Sequence, residues 1–305
     1  MNSEQLSAQI FDVNKYSHIN YLHPNRMEWE KARSDKELDF LSKSLVGQDG
    51  QQDKAVAYLH KELAQLAEIE MHVASVMSRV LCELQQENTH LISNTGLFHS
   101  VSCFASEEVQ HSNSFYQYVR HLSGKDIKLK QNYAKDRLAL YEGNENPLVK
   151  LAVLCSTAYV GESIITVFER RMKVLDPMHK MFLTQLLHFH GLDEARHIEF
   201  DHFVFEHIIP SLTSSERKRM HEMINCQEEL NTQLALTTQE VIKSEFDLDY
   251  TENNLAAKTQ LDMTLRFREI IQSGEFIKNI DEHIDDDTAD IVNGFSHSKK
   301  IHIFG

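Results

Sequence analysis

The stretch His190-Gly191-Leu192-Asp193-Glu194-Ala195-Arg196-His197 carries two imidazoles and a carboxylate at positions i, i+4 and i+7. On a helix that spacing puts His190, Glu194 and His197 on one face. Leu183 and Leu187 before it and Val204 after it continue the same face, so three polar groups interrupt a stripe that a helix buries. Three other segments are interrupted in the same way, by Glu70, by Glu108-x-x-His111 and by Glu162. Carboxylates and imidazoles converging from several helices are metal-ligand chemistry.

The segments that carry them are long. Over 53–86 apolar residues recur at helical spacing (Val56, Leu59, Leu63, Val73, Met77, Val80), with Glu70 where a leucine would be expected. After a break near Asn94 and Gly96 a second helix is expected to reach 122, on the stripe Leu97, Val101, Phe104, Glu108, His111, Phe115 and Tyr118. Residues 123–146 read as a long polar connection. Pro147, well suited to a first helical turn, opens a third helix through Leu151, Cys155, Ala158, Glu162 and Ile165. A short turn at Asp176-Pro177 leads into the fourth, which ends by Pro210. One Glu, one Glu-x-x-His, one Glu and one Glu-x-x-His on two hairpins joined by a long crossover predict an all-α, ferritin-like four-helix bundle with a dinuclear metal site. The bundle is expected at 51–210. Residues 1–50 read as an arm with one short helix at 25–45. Helices at 214–244 and 253–271 and a mixed tail at 281–305 complete one domain, and these added helices are expected to cover the bundle or form a homodimer surface.

The Glu-x-x-His motif alone decides little, because Glu87/His90 and Glu199/His202 match it too. Periodicity separates them. Glu199 lies about 200° around the helix from His197 and is expected to face outward. Glu87 lies about 25 Å along its helix from Glu70, too far to share a site with it. In the second hairpin Glu162 and Glu194 sit at matching depths, about 20 and 25 Å from the turn, whereas Glu70 and Glu108 come out at about 30 and 20 Å from Asn94. Glu68 is placed on a polar face with Gln65, His72 and Arg79.

Composition narrows the function. Only 4 Pro and 10 Gly in 305 residues favour long helices over many short strands. A formal net charge of −15 with no large basic stretch argues against nucleic acid as a partner. No basic start followed by an apolar run opens the chain, and the longest mostly apolar stretch, 151–161, is far shorter than a membrane span, so a cytoplasmic protein without a membrane association is expected. Cys82, Cys103, Cys155 and Cys226 have no Cys-x-x-Cys spacing and read as small buried residues. Four buried carboxylates would repel one another without cations, and two metal ions supply them. Oxygen and nitrogen donors suit iron, with manganese as the alternative, better than zinc.

With its extra histidine four residues before the last glutamate, the pattern resembles the p-aminobenzoate N-oxygenase family of dinuclear iron proteins, over about 53–210. That resemblance implies Glu70, Glu108, His111, Glu162, His190, Glu194 and His197 as ligands to two iron ions. It also implies dioxygen as co-substrate, an external electron donor, and oxidation of the nitrogen of a small amine substrate as far as the nitro group. Asp193 and Asp201 are expected to support the ligands from behind, with a surface ion pair to Arg196 as the alternative. Phe104, Phe115, Tyr118, Tyr159 and Phe168 are candidates for a cavity wall, and Glu169 reads as an ion-pair partner of Arg170 or Arg171. Asp-Glu-Ala-Arg-His at 193–197 also looks like an acyl-carrier-protein desaturase signature, which leaves an acyl-chain desaturase or hydroxylase open, and iron storage or a metal-dependent scaffold is the non-catalytic reading.

Overall fold

The computed structural model describes residues 3–17, 21–85, 96–273, 275–277 and 300–302. Helix α1 (Ser3–Asn14) and the short α2 (Asp35–Leu41) precede α3 (Gln52–Leu84), α4 (Leu97–Ser123), α5 (Tyr133–Ala139), α6 (Pro147–Leu175), α7 (Phe182–Phe203), α8 (Ser214–Phe246) and α9 (Leu255–Ser273). One antiparallel pairing of Glu275–Ile277 with Lys300–His302 is the only strand structure among the described residues. The expected motif Glu87/His90, the break at Asn94 and most of the tail 281–305 lie outside the described residues.

The four long helices α3, α4, α6 and α7 form the bundle, as the periodicity predicts. Local chemistry sets their ends. The Asn146 side chain caps α6 at the Leu148 N–H, Pro147 fills its first turn, and Gly124 ends α4 in the left-handed region at φ 67°. Thr213 and Glu216 close a capping box on α8. The apparent depth mismatch of the first hairpin disappears once the helix ends are seen. Glu70 is roughly 21 Å from the end of α3 at Leu84, and Glu108 roughly 17 Å from the start of α4 at Leu97. Asn94 was the wrong origin, because α3 stops well before it.

Three sequence expectations need correction. The arm is not one helix at 25–45: it holds α1, 3-10 turns at Pro24–Arg26 and Trp29–Lys31, α2, and a π-turn at Ser42–Val46. Its role is to anchor α7, since buried Glu37 accepts hydrogen bonds from the Phe182 and Leu183 N–H groups at that helix's N-terminus and from Tyr118. The connection 123–146 contains α5, which packs on α3 and α8. And α6, taken whole, is long and apolar enough to cross a membrane; 89% of its most apolar window is buried inside the protein, so it is the core helix of the bundle.

The buried apolar residues fall into two clusters. One gathers Val73 to Leu84 with Leu97 to Ala105 and the first half of α6; the other gathers Ala55 to Ala67 with Phe115 to Leu122 and the second half of α6. Fully burying one such side chain is worth roughly 1.5–3 kcal/mol. Between the two clusters lies the layer of α3, α4, α6 and α7 that contains Glu70, Glu108, Glu162 and Glu194, and the apolar ends sustain this charged middle.

Candidate metal centre

Glu70, Glu108, His111, Glu162, His190, Glu194 and His197 are all buried, none more than 7% exposed. One donor atom each from Glu70, His111, His190 and Glu194 lie within 4.8 Å of one another, and so do donors from Glu108, His111, Glu194 and His197. The two groups share His111 and Glu194. Glu162 stands outside both, beside Asp201. Burial, then Asp201 and Glu194, raise the Glu162 carboxyl well above its usual range, and burial does the same for Asp201.

Each of the three imidazoles is held from behind by a carboxylate. His111 donates from Nε2 to Asp193 at 2.9 Å, leaving Nδ1 3.3 Å from Glu194. His190 donates from Nδ1 to Glu169 at 2.8 Å and directs Nε2 to Glu194 at 2.9 Å and Glu70 at 3.1 Å. His197 donates from Nε2 to Glu107 at 3.0 Å and directs Nδ1 to Glu108 at 2.9 Å. A carboxylate on the outer nitrogen fixes the tautomer and aims the inner one. Asp193 stands behind His111, and the Arg196 pair is formed as well: buried Arg196 bridges Asp193 and Glu107, the latter at 2.7 Å, while the Leu22 N–H of the arm donates to Asp193 at 2.8 Å. Asp201 supports no imidazole and keeps company with Glu162 and Cys155.

Glu107 and Glu169 are the carboxylates behind His197 and His190 that the sequence reading did not mark. Glu169 turns inward to His190, and Arg171 donates to the Ser44 carbonyl. The signal was present: Glu169 follows Glu162 by seven residues and so shares its face. Gly191 makes room for it, because a Cβ there would sit 2.0 Å from Glu169 Oε2. Glu107 adjoins Glu108 with no periodic mark of its own.

Other expectations are settled by placement. Glu199 is exposed, as predicted, but His72 is buried, not on a solvated face. Phe104 stacks on His197 with centroids 3.8 Å apart and Phe115 packs on His190 at 4.9 Å, so both wall the centre. Of the aromatic candidates only Phe168 lines the cavity of about 440 Å³ between α3, α6, α8 and α9. That volume suits a small organic ligand. Ile69 and Gly161, each next to a glutamate of the centre, lie in its wall. Cys103 and Cys155 are buried as expected; Cys82 and Cys226 are exposed.

The donor set fits a pair of cations. Glu70 Oε2, Glu194 Oε2, both Glu162 oxygens and the Nδ1 atoms of His111 and His197 are buried without a hydrogen-bond partner. Unsatisfied buried polar atoms are costly, and those of Glu70, Glu194, His111 and His197 belong to the two converging donor groups. Without metal, protons replace the cations. Burial opposes charge on each imidazole, yet the surrounding carboxylates push His111 up to about 10 and His190 and His197 well above their usual value. Burial raises Glu70 and Glu169 to about 7. The folded metal-free protein therefore holds more protons than the unfolded chain at neutral pH; the imidazoles' stabilisation is complete below the ordinary histidine pKa and lost as pH rises towards 10, and the raised carboxyls of Glu70 and Glu169 add a loss of stability that begins at the ordinary carboxylate value and runs through about 7. The expected result is a melting temperature of metal-free protein that falls between pH 6.5 and pH 10, measured by calorimetry, while metal-loaded protein changes much less.

No family model matches the chain, and no curated protein matches it. Its fold is similar to solved structures of R2-like ligand-binding oxidase point mutants. Two with an aerobically reconstituted Mn/Fe cofactor superpose with TM-scores of 0.52 and 0.51, each at 13% identity over 90% of this chain and 93% of the other. A third, with the cofactor reconstituted anaerobically, has a TM-score of 0.51 at 12% identity over 88% of this chain and 92% of the other. At this identity the likeness is one of fold, and with the helix order above it makes the chain an all-α bundle of the ferritin-like, R2 type.

Proposed function

We propose that the protein is a dinuclear-metal oxidase that uses dioxygen, with Glu70, Glu108, His111, Glu162, His190, Glu194 and His197 as the ligands of two iron ions, manganese being able to replace one. The observation that carries this reading is the pair of overlapping donor groups joined through His111 and Glu194, in which Glu70 Oε2, Glu194 Oε2 and the Nδ1 atoms of His111 and His197 are buried without a hydrogen bond. The Mn/Fe cofactors named for the structures of similar fold support a redox-active pair over zinc. Such a pair, when bound, activates dioxygen with electrons from an external donor.

The chain's own residues prepare that chemistry. Asp193, Glu169 and Glu107 hold the three imidazoles in one orientation, and the apolar clusters on either side exclude bulk water. Burial holds the neighbouring carboxyls of Glu162 and Asp201 well above their usual range, so they favour a shared proton where a cation is not bound.

The finer reading is N-oxygenation of an arylamine or another small amine. Its support is the position of His190, whose inward Nε2 makes it a third imidazole at the centre, the feature on which the N-oxygenase resemblance rests. Iron-loaded, reduced protein exposed to dioxygen under single-turnover conditions should convert p-aminobenzoate or a related amine to hydroxylamino or nitro products, read by mass spectrometry. Oxygen insertion or desaturation confined to acyl chains, with every amine untouched, would replace the nitrogen reading by the desaturase one.

A further inference from the structure

Along the connection from α4 to α5 lies an open groove of about 1220 Å³, and its rim is basic. That volume exceeds the roughly 300–1,000 Å³ of pockets that enclose small molecules. Residues 120–135 hold Arg120, Lys125, Lys128, Lys130 and Lys135 against Asp126 alone, in a chain whose formal net charge is −15. All of these but Lys135 line the groove, and Arg33 of the arm joins them, its Nη1 3.5 Å from where a Cβ on Gly124 would sit. The stretch is held in place. From 125 to 130 exposure alternates as along an extended chain: Ile127 and Leu129 are half-buried, Ile127 against the second apolar cluster, while Lys128 and Lys130 stand in solvent. Lys125 ties the stretch to α8, donating to the Glu245 carbonyl at 2.7 Å and lying over the Phe246 ring. Asp126 lies 3.7 Å from both Arg120 and Lys128, exposed contacts that neutralise little.

The floor of the groove is the outer side of the metal centre. Glu68 comes two residues before Glu70 on α3 and Asn113 two residues after His111 on α4, so each lies about 200° around its helix from a ligand. One helix thickness, roughly 10–12 Å, separates floor from centre. Two bonds brace α3 and α4 at this level: Ser112 donates to the Ala67 carbonyl at 2.8 Å, and Tyr116 donates to Glu68. Among the described residues, the cavity of about 440 Å³ has no wall residue in common with the groove. The groove thus offers proximity without a channel. That suits a partner that passes electrons, which cross a helix, and not one that delivers a tethered molecule.

We propose that this groove is the docking surface of an acidic electron-transfer protein of the one-electron, iron–sulfur class, which reduces the metal pair across α3 and α4. Its purpose rests on the proposed function, in which the pair draws electrons from an external donor. Each encounter oxidises one donor and adds one electron to the pair, so two encounters supply two electrons and no atom is exchanged. Opposite charge steers the partner to the rim and raises the rate of encounter, and small interfaces of this kind release quickly. A rigid rim helps, because Lys128 and Lys130 are displayed without ordering a loop at the moment of binding.

The test is binding of an acidic plant-type two-iron, two-sulfur ferredoxin to full-length protein, metal-loaded and metal-free, by isothermal titration calorimetry. Both forms should bind it, and affinity should fall at least about tenfold between roughly 0.01 and 0.2 M salt. Arg120→Ser/Lys128→Ser/Lys130→Ser should lose at least about tenfold in affinity at low salt and most of the salt dependence. All three side chains are exposed, so melting temperature and metal content should match the wild type. Lys15→Ser/Lys173→Ser/Lys218→Ser removes the same charge from exposed positions elsewhere and should bind ferredoxin as the wild type does. In stopped-flow absorbance, reduced ferredoxin should reduce the loaded Arg120/Lys128/Lys130 variant at least about tenfold more slowly than the loaded wild type, each rate taken relative to reduction of the same protein by dithionite. No binding to the wild type, salt-independent binding, or equal losses in the two triple variants would overturn the docking surface. So would binding of an acidic apo acyl carrier protein that depends on Arg120, Lys128 and Lys130 while ferredoxin reduction does not, which would make the groove the seat of a tethered substrate. Binding is read on metal-free protein and metal content on the same samples, so failure of docking and failure of the dinuclear reading are told apart.

Discussion

Glu194→Ala should lose both metal ions. Its carboxylate belongs to both donor groups, within 4.8 Å of Glu70 and His190 on one side and of Glu108 and His197 on the other. Removing it opens both positions at once and takes away the anion that faces His111, His190 and His197. Metal content should fall at least about tenfold from a wild-type value of about two ions per chain, since ligand loss costs more than the 10–100-fold typical of an outer partner. Glu70→Ala should behave differently. Glu70 belongs to one group alone, so this variant should keep about one ion, bound among Glu108, His111, Glu194 and His197. Elemental analysis of proteins reconstituted under identical conditions reads both. Full occupancy in Glu194→Ala, or a single zinc in the wild type, would remove the dinuclear site.

Filling the cavity at Gly161 should abolish ligand binding while sparing the metal. Gly161 is in the interior of α6, where glycine costs about 0.5–1 kcal/mol relative to alanine. Its backbone does not need it: a Cβ there would meet nothing within 4 Å, and the residue lies in the cavity wall next to Glu162. The helix gives up stability where a side chain would project into the space that a ligand takes. Gly161→Ala should therefore stabilise the protein by about 0.5–1 kcal/mol in denaturant unfolding. Gly161→Phe should retain the wild-type metal content and lower affinity for any cavity ligand, and turnover with it, at least about 100-fold, because the ring occupies the volume the ligand needs. Unchanged turnover in Gly161→Phe would mean that substrate reaches the centre by another face.

Much of the fold and of the centre was legible in the sequence for a local reason. A helix repeats every 3.6 residues, so a glutamate or histidine inside an apolar stripe announces its burial before any neighbour is known. Glu108, His111, His190, Glu194 and His197 announce themselves this way, as do the four long helices that carry them. Glu169 was legible too, seven residues after Glu162, and was passed over because Arg170 and Arg171 offered a nearer partner.

Other features depended on which element lands where, and periodicity is silent about that. The pairing of Glu107 with His197 joins α4 to α7, and the contact of the Leu22 N–H with Asp193 joins the arm to the centre across 171 residues of chain. Capping of α7 by Glu37 likewise needs the arm folded back on the bundle. The clearest case is the second face of α3. Gln65, Glu68 and His72 are polar at helical spacing, and by sequence alone a polar stripe is a solvated one. Only the packing of α5 and α8 against α3 buries His72 and leaves Gln65 and Glu68 half-buried, because burial belongs to the partner that covers a face and not to the residues that make it.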